Sequence, residues 1–245
     1  MEDIGFGKFQ IYSYIAIGFG INSVGFWFYI LGFLYQEPGL ICKVTSDNEK
    51  DLDEICTRAN ICEGDNRIIS WSVDENDDRT LDNWRQKLDL DMCKDVMKPS
   101  LIASAFFLGW ALTLIWVPRL GDVYGRKKLF LFGTVSGAFL YTALMFTESL
   151  NLTIALSFCF GCLTSIRINI GSVYLLEMMP KSWKTAMGTF WSIIEGSVYV
   201  LATLYFWQVS KSWVGFVGIG YVLQLISAFT IWGIPESPVY LLANQ

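Results

Sequence analysis

Two ionisable residues stand alone inside runs that carry no other charge. Arg167 lies within residues 150–176 and Glu195 within residues 185–210. A charge in a stretch apolar enough to cross a bilayer is costly and faces a bundle interior or a water-filled cavity, so it marks ion or solute chemistry. Arg167 lies about ten residues before one end of its run and Glu195 about ten after the same end of the next, so at 1.5 Å per residue both are roughly 15 Å deep. Equal depth and opposite sign on consecutive spans predict that the two face each other. Such a pair either pins two helices or serves a solute or a proton. Small and polar residues, Gly161, Thr164, Gly171 and Tyr174, share the face of Arg167 by i±3/4 spacing and suit close packing or a cavity wall. Asn22 sits at the glycine-flanked midpoint of the first apolar run. Tyr199, with Trp27, Tyr29 and Trp191, offers rings on which a cation stacks. Asn22, Arg167, Glu195 and Tyr199 are therefore the candidate solute path.

A second constellation lies between two uncharged runs, 101–118 and 129–147. It reads Leu120-Gly121-Asp122-Val123-Tyr124-Gly125-Arg126-Lys127-Lys128. A lone acid and a basic cluster in a glycine-flanked turn can form an electrostatic latch, and a basic turn between spans marks a cytosolic loop. Glu177 and Lys184 bracket the next short connection on the same side.

The elements that position these residues follow from hydropathy. The chain has 245 residues, 53% apolar, 16% aromatic and only 17% charged, with a mean hydropathy of +0.41. Soluble domains carry roughly 25% charged residues. Six runs, 9–35, 100–117, 129–147, 150–176, 185–210 and 212–234, approach the about 20 residues that a spanning helix needs. The first is too long and glycine-rich for a signal peptide, and no small-residue cleavage site closes it. Residues 36–98 hold sixteen of the 23 acids and nine of the 18 bases, so the acidity of the chain belongs to one loop. There is no basic stripe with interleaved aromatics, so a nucleic-acid partner is not expected.

Alternation of spans puts Arg119, Arg126, Lys127, Lys128, Lys181 and Lys184 on one side with the N-terminus. By the positive-inside rule that side is cytosolic, and the 36–98 loop is external or lumenal. Cys42, Cys56, Cys62 and Cys93 fall in that loop, where two disulfides form in one of three connectivities. Cys159 and Cys162 lie within the fourth span as packing residues. No metal site is expected, since there is no histidine and the loop has no C-x-x-C pair. No cofactor motif and no Ser/His or Cys/His arrangement is present, so an enzyme is not expected. Asn151-Leu152-Thr153 is a formal glycosylation sequon, pressed too close to the bilayer to be used.

The L-G-D-x-x-G-R-K-K order resembles the signature loop between helices 2 and 3 of the major facilitator superfamily of transporters. Phe6-Gly7-Lys8-Phe9-Gln10 resembles the start of helix 1 in the organic cation/anion transporters, which carry a long cysteine-rich loop between helices 1 and 2. Cys93 with Lys98-Pro99-Ser100 and Phe106-Phe107-x-Gly109 resembles their passage into helix 2. Glu177 to Thr185 resembles their helix 4–5 loop, and Pro235-Glu236-Ser237-Pro238 with Leu241-Leu242 resembles the motif after helix 6, shared with sugar porters. These matches run the length of the chain in family order. The resemblance implies an all-α membrane protein whose six transmembrane helices form one half of a major facilitator fold. Residues 1–35 would hold the N-terminus and helix 1, 36–98 the acidic external loop, and 99–245 helices 2–6, with a cytosolic signature loop at 118–128 and an end motif at 235–242. It implies alternating access, a small organic ion or sugar-like solute, and a cytosolic gate of Gly121, Asp122, Gly125, Arg126, Glu177 and Lys184.

The departures bear on function. Pro118 stands where the family has glycine, Val123 where a basic residue follows the Asp, Ser157 where many members carry Arg, and Lys184 where Arg is usual. Lysine does not reproduce the two-pronged carboxylate contact of arginine, so the latch is expected to be partial. The family has twelve spans in two halves. A six-span chain is read as a piece of a longer protein, as a half that pairs with a second half, or as a subunit of a larger membrane complex. The expected function is therefore the N-terminal half of a secondary transporter. The alternative is a transport-incompetent structural subunit derived from one. Expected partners are the lipid bilayer, a second six-helix half or other membrane-complex subunits, and a small organic solute. The expected location is the plasma membrane, with an organelle membrane as the second choice.

Overall fold

The computed structural model describes residues 6–44, 52–63, 68–77, 79–88, 90–91, 93–94 and 97–243. Residues 1–5 of the expected first segment lie outside it, as do the loop acids Asp47, Glu49, Asp51, Asp65, Asp78, Asp89 and Asp95. The first span runs Lys8–Leu34 as three helical pieces, α1 (Lys8–Asn22), α2 (Gly25–Phe28) and α3 (Leu31–Leu34). Then come β1 (Leu40–Val44), β2 (Leu52–Cys56), α4 (Arg58–Cys62), β3 (Ile68–Val73) and α5 (Trp84–Lys87). The remaining spans are α6 (Lys98–Leu114) with α7 (Val117–Tyr124), α8 (Arg126–Phe146), α9 (Leu150–Glu177), α10 (Lys184–Gln208) and α11 (Trp213–Thr230). A short helix, α12 (Pro238–Ala243), follows. Five helices are long and apolar enough to cross a membrane, and the α6–α7 pair makes a sixth when it is counted as one bent span.

The 118–128 segment is not a loop. Helix α6 stops at Leu114, and α7 starts at Val117, bent by 52° from it. Pro118 sits in the first turn of α7, where its missing N–H costs nothing; further inside a helix it would clash with the preceding turn. Only Gly125 interrupts the chain before α8, with φ +93°, a conformation that a side chain disfavours. A Cβ there would also lie 2.5 Å from the Glu236 carboxylate. The signature stretch is therefore a second helix, a one-residue corner and the first turn of a third.

Two cores stack along the bundle. Trp27 is fully buried, its ring centred 5.4 Å from Tyr141 of α8, 5.7 Å from Phe160 of α9, 6.2 Å from Trp213 of α11 and 5.3 Å from Trp84 of α5. The other core gathers Ile17, Phe130, Ile170 and Tyr174 toward the end that carries α7. Helices α6 and α9 meet backbone to backbone. A Cβ on Gly109 would lie 2.2 Å from the Phe158 carbonyl, and one on Gly161 would lie 2.0 Å from that of Phe106. Small residues permit this approach between membrane helices, where dispersion contacts hold them together.

The acidic loop carries structure that the sequence reading left open. A three-stranded antiparallel sheet, ordered β2–β1–β3, forms its described core. Cys42 pairs with Cys56 diagonally across the β1–β2 register, and Cys62 pairs with Cys93, joining α4 to the approach to α6. The two expected disulfides are thus present, in one of the three open connectivities. The loop docks on the bundle through buried Trp84 and through Lys211, whose ammonium donates to the Glu75 and Asp77 carbonyls at 2.9 Å each. Lys87 reaches the Met145 carbonyl at 2.6 Å and lies 5.1 Å over the Trp213 ring. Partial burial holds its pKa below the usual lysine value, against the pull of Glu148 and Asp82.

Peptide mapping without reduction should return the pairs Cys42–Cys56 and Cys62–Cys93. Closing loops of 14 and 31 residues is expected to stabilise the docked loop by about 3 kcal/mol each. Reduction should therefore raise hydrogen exchange across 80–88, and exchange that is unchanged by reduction would count against the staples. The side-chain and backbone hydrogen bonds from Arg79, with Lys211 nearby, bring the pKa of Asp77 down to about 2 from 3.8. A depressed folded-state pKa stabilises above the unfolded value and loses that contribution as pH falls through the folded one. Loop docking should hold at pH 5 and weaken below about pH 4, and Asp77→Asn should reduce that acid limb, leaving the share of Asp91, whose carboxyl the Lys94 and Cys93 N–H groups also hold below the usual range.

Candidate functional site

Arg126 is the centre of the first cluster. It opens α8, and its Nη2 lies 2.8 Å from Asp122 Oδ1, one turn back across the Gly125 corner. Its Nε lies 3.2 Å from Glu177 Oε2 at the end of α9, and Nη1 donates to the Gly121 carbonyl at 3.0 Å. The guanidinium also sits 5.9 Å from the Tyr240 ring of α12. One side chain thus joins α7, α8, α9 and α12. Gly121, Asp122, Gly125, Arg126 and Glu177 come together as the spacing implied. Lys184 does not join them. It starts α10, half-buried beside a cavity of about 520 Å3 that Glu177 also lines, and no ion pair among the described residues engages it.

The Pro235–Pro238 motif completes this cluster, a role that the sequence reading did not assign. Three basic residues open α8, where the positive end of the helix dipole disfavours them. Glu236 counters this by accepting from the Lys127 backbone N–H at 2.8 Å, capping α8 from 109 residues away. Ser237 donates to the Glu177 carboxylate, and Tyr174 donates to the Pro235 carbonyl at 2.5 Å. The motif itself was visible in the sequence, but nothing local showed which helix end it would meet.

The second cluster differs from expectation. Arg167 is fully buried, and its Nη2 donates to the Gly20 carbonyl at 2.6 Å and to the Ser23 hydroxyl. That carbonyl leaves the helix ladder because the first span breaks after Asn22: the Val24 N–H bonds Ile21 instead of Gly20, and the Ser23 hydroxyl also donates to the Gly20 carbonyl at 2.8 Å. The arginine stem crosses α8 at Gly133 and Gly137, next to Gln224 of α11, whose amide donates to the Thr134 carbonyl at 2.8 Å. No described carboxylate is within ion-pair reach, and Nε and Nη1 have no hydrogen-bond partner. The expected Arg167–Glu195 pair is therefore not formed. Arg167 points into the α1–α8–α11 interior, whereas α10, which carries Glu195, packs on another side and is largely open. Equal depth by residue count does not settle facing, which helix rotation and neighbour order decide.

Glu195 is half-buried one turn before Tyr199, whose ring lies 6.2 Å from both Tyr29 and Phe33. Asn22 lines a cavity of about 270 Å3 between α1 and α10, with Phe19, Phe26, Phe190 and Ser197. The four path candidates thus divide. Asn22 faces the α1–α10 cavity, Glu195 and Tyr199 lie along α10 beside it, and Arg167 lies on the far side of α1.

A double-mutant cycle separates these arrangements. Arg167→Leu and Glu195→Leu should have additive effects on assembly, with a coupling energy below about 0.5 kcal/mol. Arg167→Leu together with Ser23→Ala should be non-additive. Coupling of more than about 1 kcal/mol in the first cycle would restore the direct pair.

Residues 16–245 match the sugar (and other) transporter family. A probable peptide/nitrate transporter of Arabidopsis thaliana is 38% identical over 82 residues, a stretch covering 34% of this chain and 17% of that protein. The matched part is thus a small fraction of the relative's length. The family match spans α1 to α12 and includes both clusters, and the helices account for a multi-pass membrane protein. The chain belongs to the sugar (and other) transporter family, and its six spans form a half of the major facilitator type.

Proposed function

We propose that this chain is one half of an alternating-access carrier, with the Arg126 cluster as the latch that closes one side. The orientation that fits is N-terminus in the cytosol, which places the basic end inside and the disulfide-stapled loop outside. A second six-helix half would cover the open side. Helix α10 supports this reading, because Phe190, Ile193, Tyr199, Val200 and Trp207 are all exposed along it. Solute would pass between the halves beside Asn22, Glu195 and Tyr199.

The observation that carries the latch is its contact set. Arg126 bridges four helices at one end of the bundle, so it fixes the end of this half against which a second half would close. Its two carboxylate contacts differ in weight. The Asp122 side chain is 68% exposed, and an exposed ion pair contributes about 0–1 kcal/mol. The Arg126 and Glu177 side chains are 13% and 12% exposed, and removing one partner of a buried pair costs about 3–5 kcal/mol. Within this network Glu177 therefore carries the latch more than the signature acid does.

The test uses the full-length protein in membranes. A cysteine placed at Ile193 on the open face of α10 should gain cytosolic labelling strongly in Glu177→Gln and only slightly in Asp122→Asn. Surface expression of both variants should stay near that of the parent. A larger effect in Asp122→Asn, or equal labelling in both, would remove Glu177 from the gate.

A further inference from the structure

We propose that the cavity at the end of the bundle, between α1, α9, α10 and α12, binds a net-anionic phosphate group carried on an apolar body, held by Lys184 and by the Gln10 side-chain amide. This needs only the placement of these helices in a membrane and stands apart from the carrier reading. The cavity, about 520 Å3, has apolar walls at Phe9, Met178, Met179 and Val239, and its polar lining is Gln10, Glu177, Lys181 and Lys184. Glu177 is already engaged. Arg126 Nε lies 3.2 Å from its Oε2, and Ser237 donates to the same carboxylate. Its charge is therefore matched before any ligand arrives. Lys184 is half-buried and opens α10, where the positive end of the helix dipole disfavours a cation. No ion pair among the described residues offsets it. An anion in the cavity would answer both the ammonium and the helix end.

Gln10 points to a ligand independently. It is more than nine-tenths buried, with 8% of its surface exposed. Its Oε1 accepts from the Gly7 N–H at 3.0 Å, which caps α1. A backbone N–H only donates, so that contact fixes which atom is oxygen and leaves Nε2 as the donor. Nε2 has no acceptor among the described residues, and it is not among the side-chain atoms sealed from solvent. A largely buried amide without an acceptor is costly, and a ligand oxygen recovers that cost. The two donors stand on different walls, Gln10 on α1 and Lys184 on α10, so a single group that meets both needs several acceptor oxygens. A phosphate has them and carries the charge that Lys184 lacks opposite it. The cavity lies where α1 and α10 begin and α9 ends, at the headgroup level of a bilayer. An anionic phospholipid therefore fits both the donors and the apolar walls, and a soluble organic phosphate carries the same chemistry.

The test follows acetylation of Lys184 on the full-length protein in nanodiscs, read by peptide mass, with Lys128 of α8 as the control outside the cavity. Anionic lipid that merely gathers near basic residues slows both lysines alike. The conditions are phosphatidylcholine alone, phosphatidylcholine with phosphatidic acid, and phosphatidylcholine with phenyl phosphate in the buffer. Phosphatidic acid, phenyl phosphate or both should slow Lys184 about tenfold relative to Lys128. Protection by phosphatidic acid alone assigns the group to a lipid, and protection by phenyl phosphate alone assigns it to a soluble ligand. Gln10→Glu keeps the oxygen that caps α1 and replaces the open donor with a negative charge. It should fold, with Lys128 acetylated as in the parent, and lose the protection of Lys184. The proposal is overturned if neither probe slows Lys184 beyond Lys128, or if Lys184 in folded Gln10→Glu is protected as fully as in the parent.

Discussion

A carbonyl oxygen released inside a membrane-spanning helix has to find a donor, because no water is available to it. The first span contains such a release at Gly20, where the helix steps from α1 to α2. Ser23 answers it locally with its hydroxyl, and Arg167 from α9 donates to both that carbonyl and that hydroxyl, which ties α9 to the broken span. The arginine needs a smooth path, which α8 provides at Gly133 and Gly137, and a polar neighbour on α11, which Gln224 provides. Asn22, the last residue of α1 before the break, lines the cavity against α10.

The two ends of the bundle are held by different physics. At the end carrying α7, charge and helix capping dominate, with Arg126 holding two carboxylates and Glu236 capping α8. Bonds of this kind are directional and can be exchanged for others when helices move. At the opposite end, aromatic packing around Trp27 is continuous with Trp84 of the stapled loop. Apolar burial of that sort is non-directional and resists separation.

Much of this was legible in one dimension. Apolar runs fixed the number and order of spans, because bilayer thickness sets a length that hydropathy reports directly. The grouping of Gly121, Asp122, Gly125 and Arg126 was legible because those residues are neighbours along the chain, and Glu177 joined them through a motif one span away. That the four loop cysteines form two disulfides was legible in the sequence, though not the pairing, since connectivity depends on the register of β1 against β2. Pro118 was read as part of a loop because a basic, glycine-flanked turn lies there between two uncharged runs. In the structure it starts a helix, where its missing N–H has no partner to lose.

What only the tertiary structure decided was which polar groups face one another. Depth along a helix is estimated by counting residues, and counting assigned Arg167 and Glu195 similar levels. Facing depends on rotation about each helix axis and on which helices are neighbours, and both are set by packing between segments distant in sequence. That is why the partner of Arg167 proved to be a backbone carbonyl 147 residues away, and the cap of α8 a glutamate 109 residues on. The sequence by itself determined a six-span transporter half with an electrostatic end. The fold decided that the buried arginine meets the Gly20 carbonyl and the Ser23 hydroxyl and that Asn22 lines the α1–α10 cavity, because helix rotation and neighbour order leave Glu195 out of the arginine's reach.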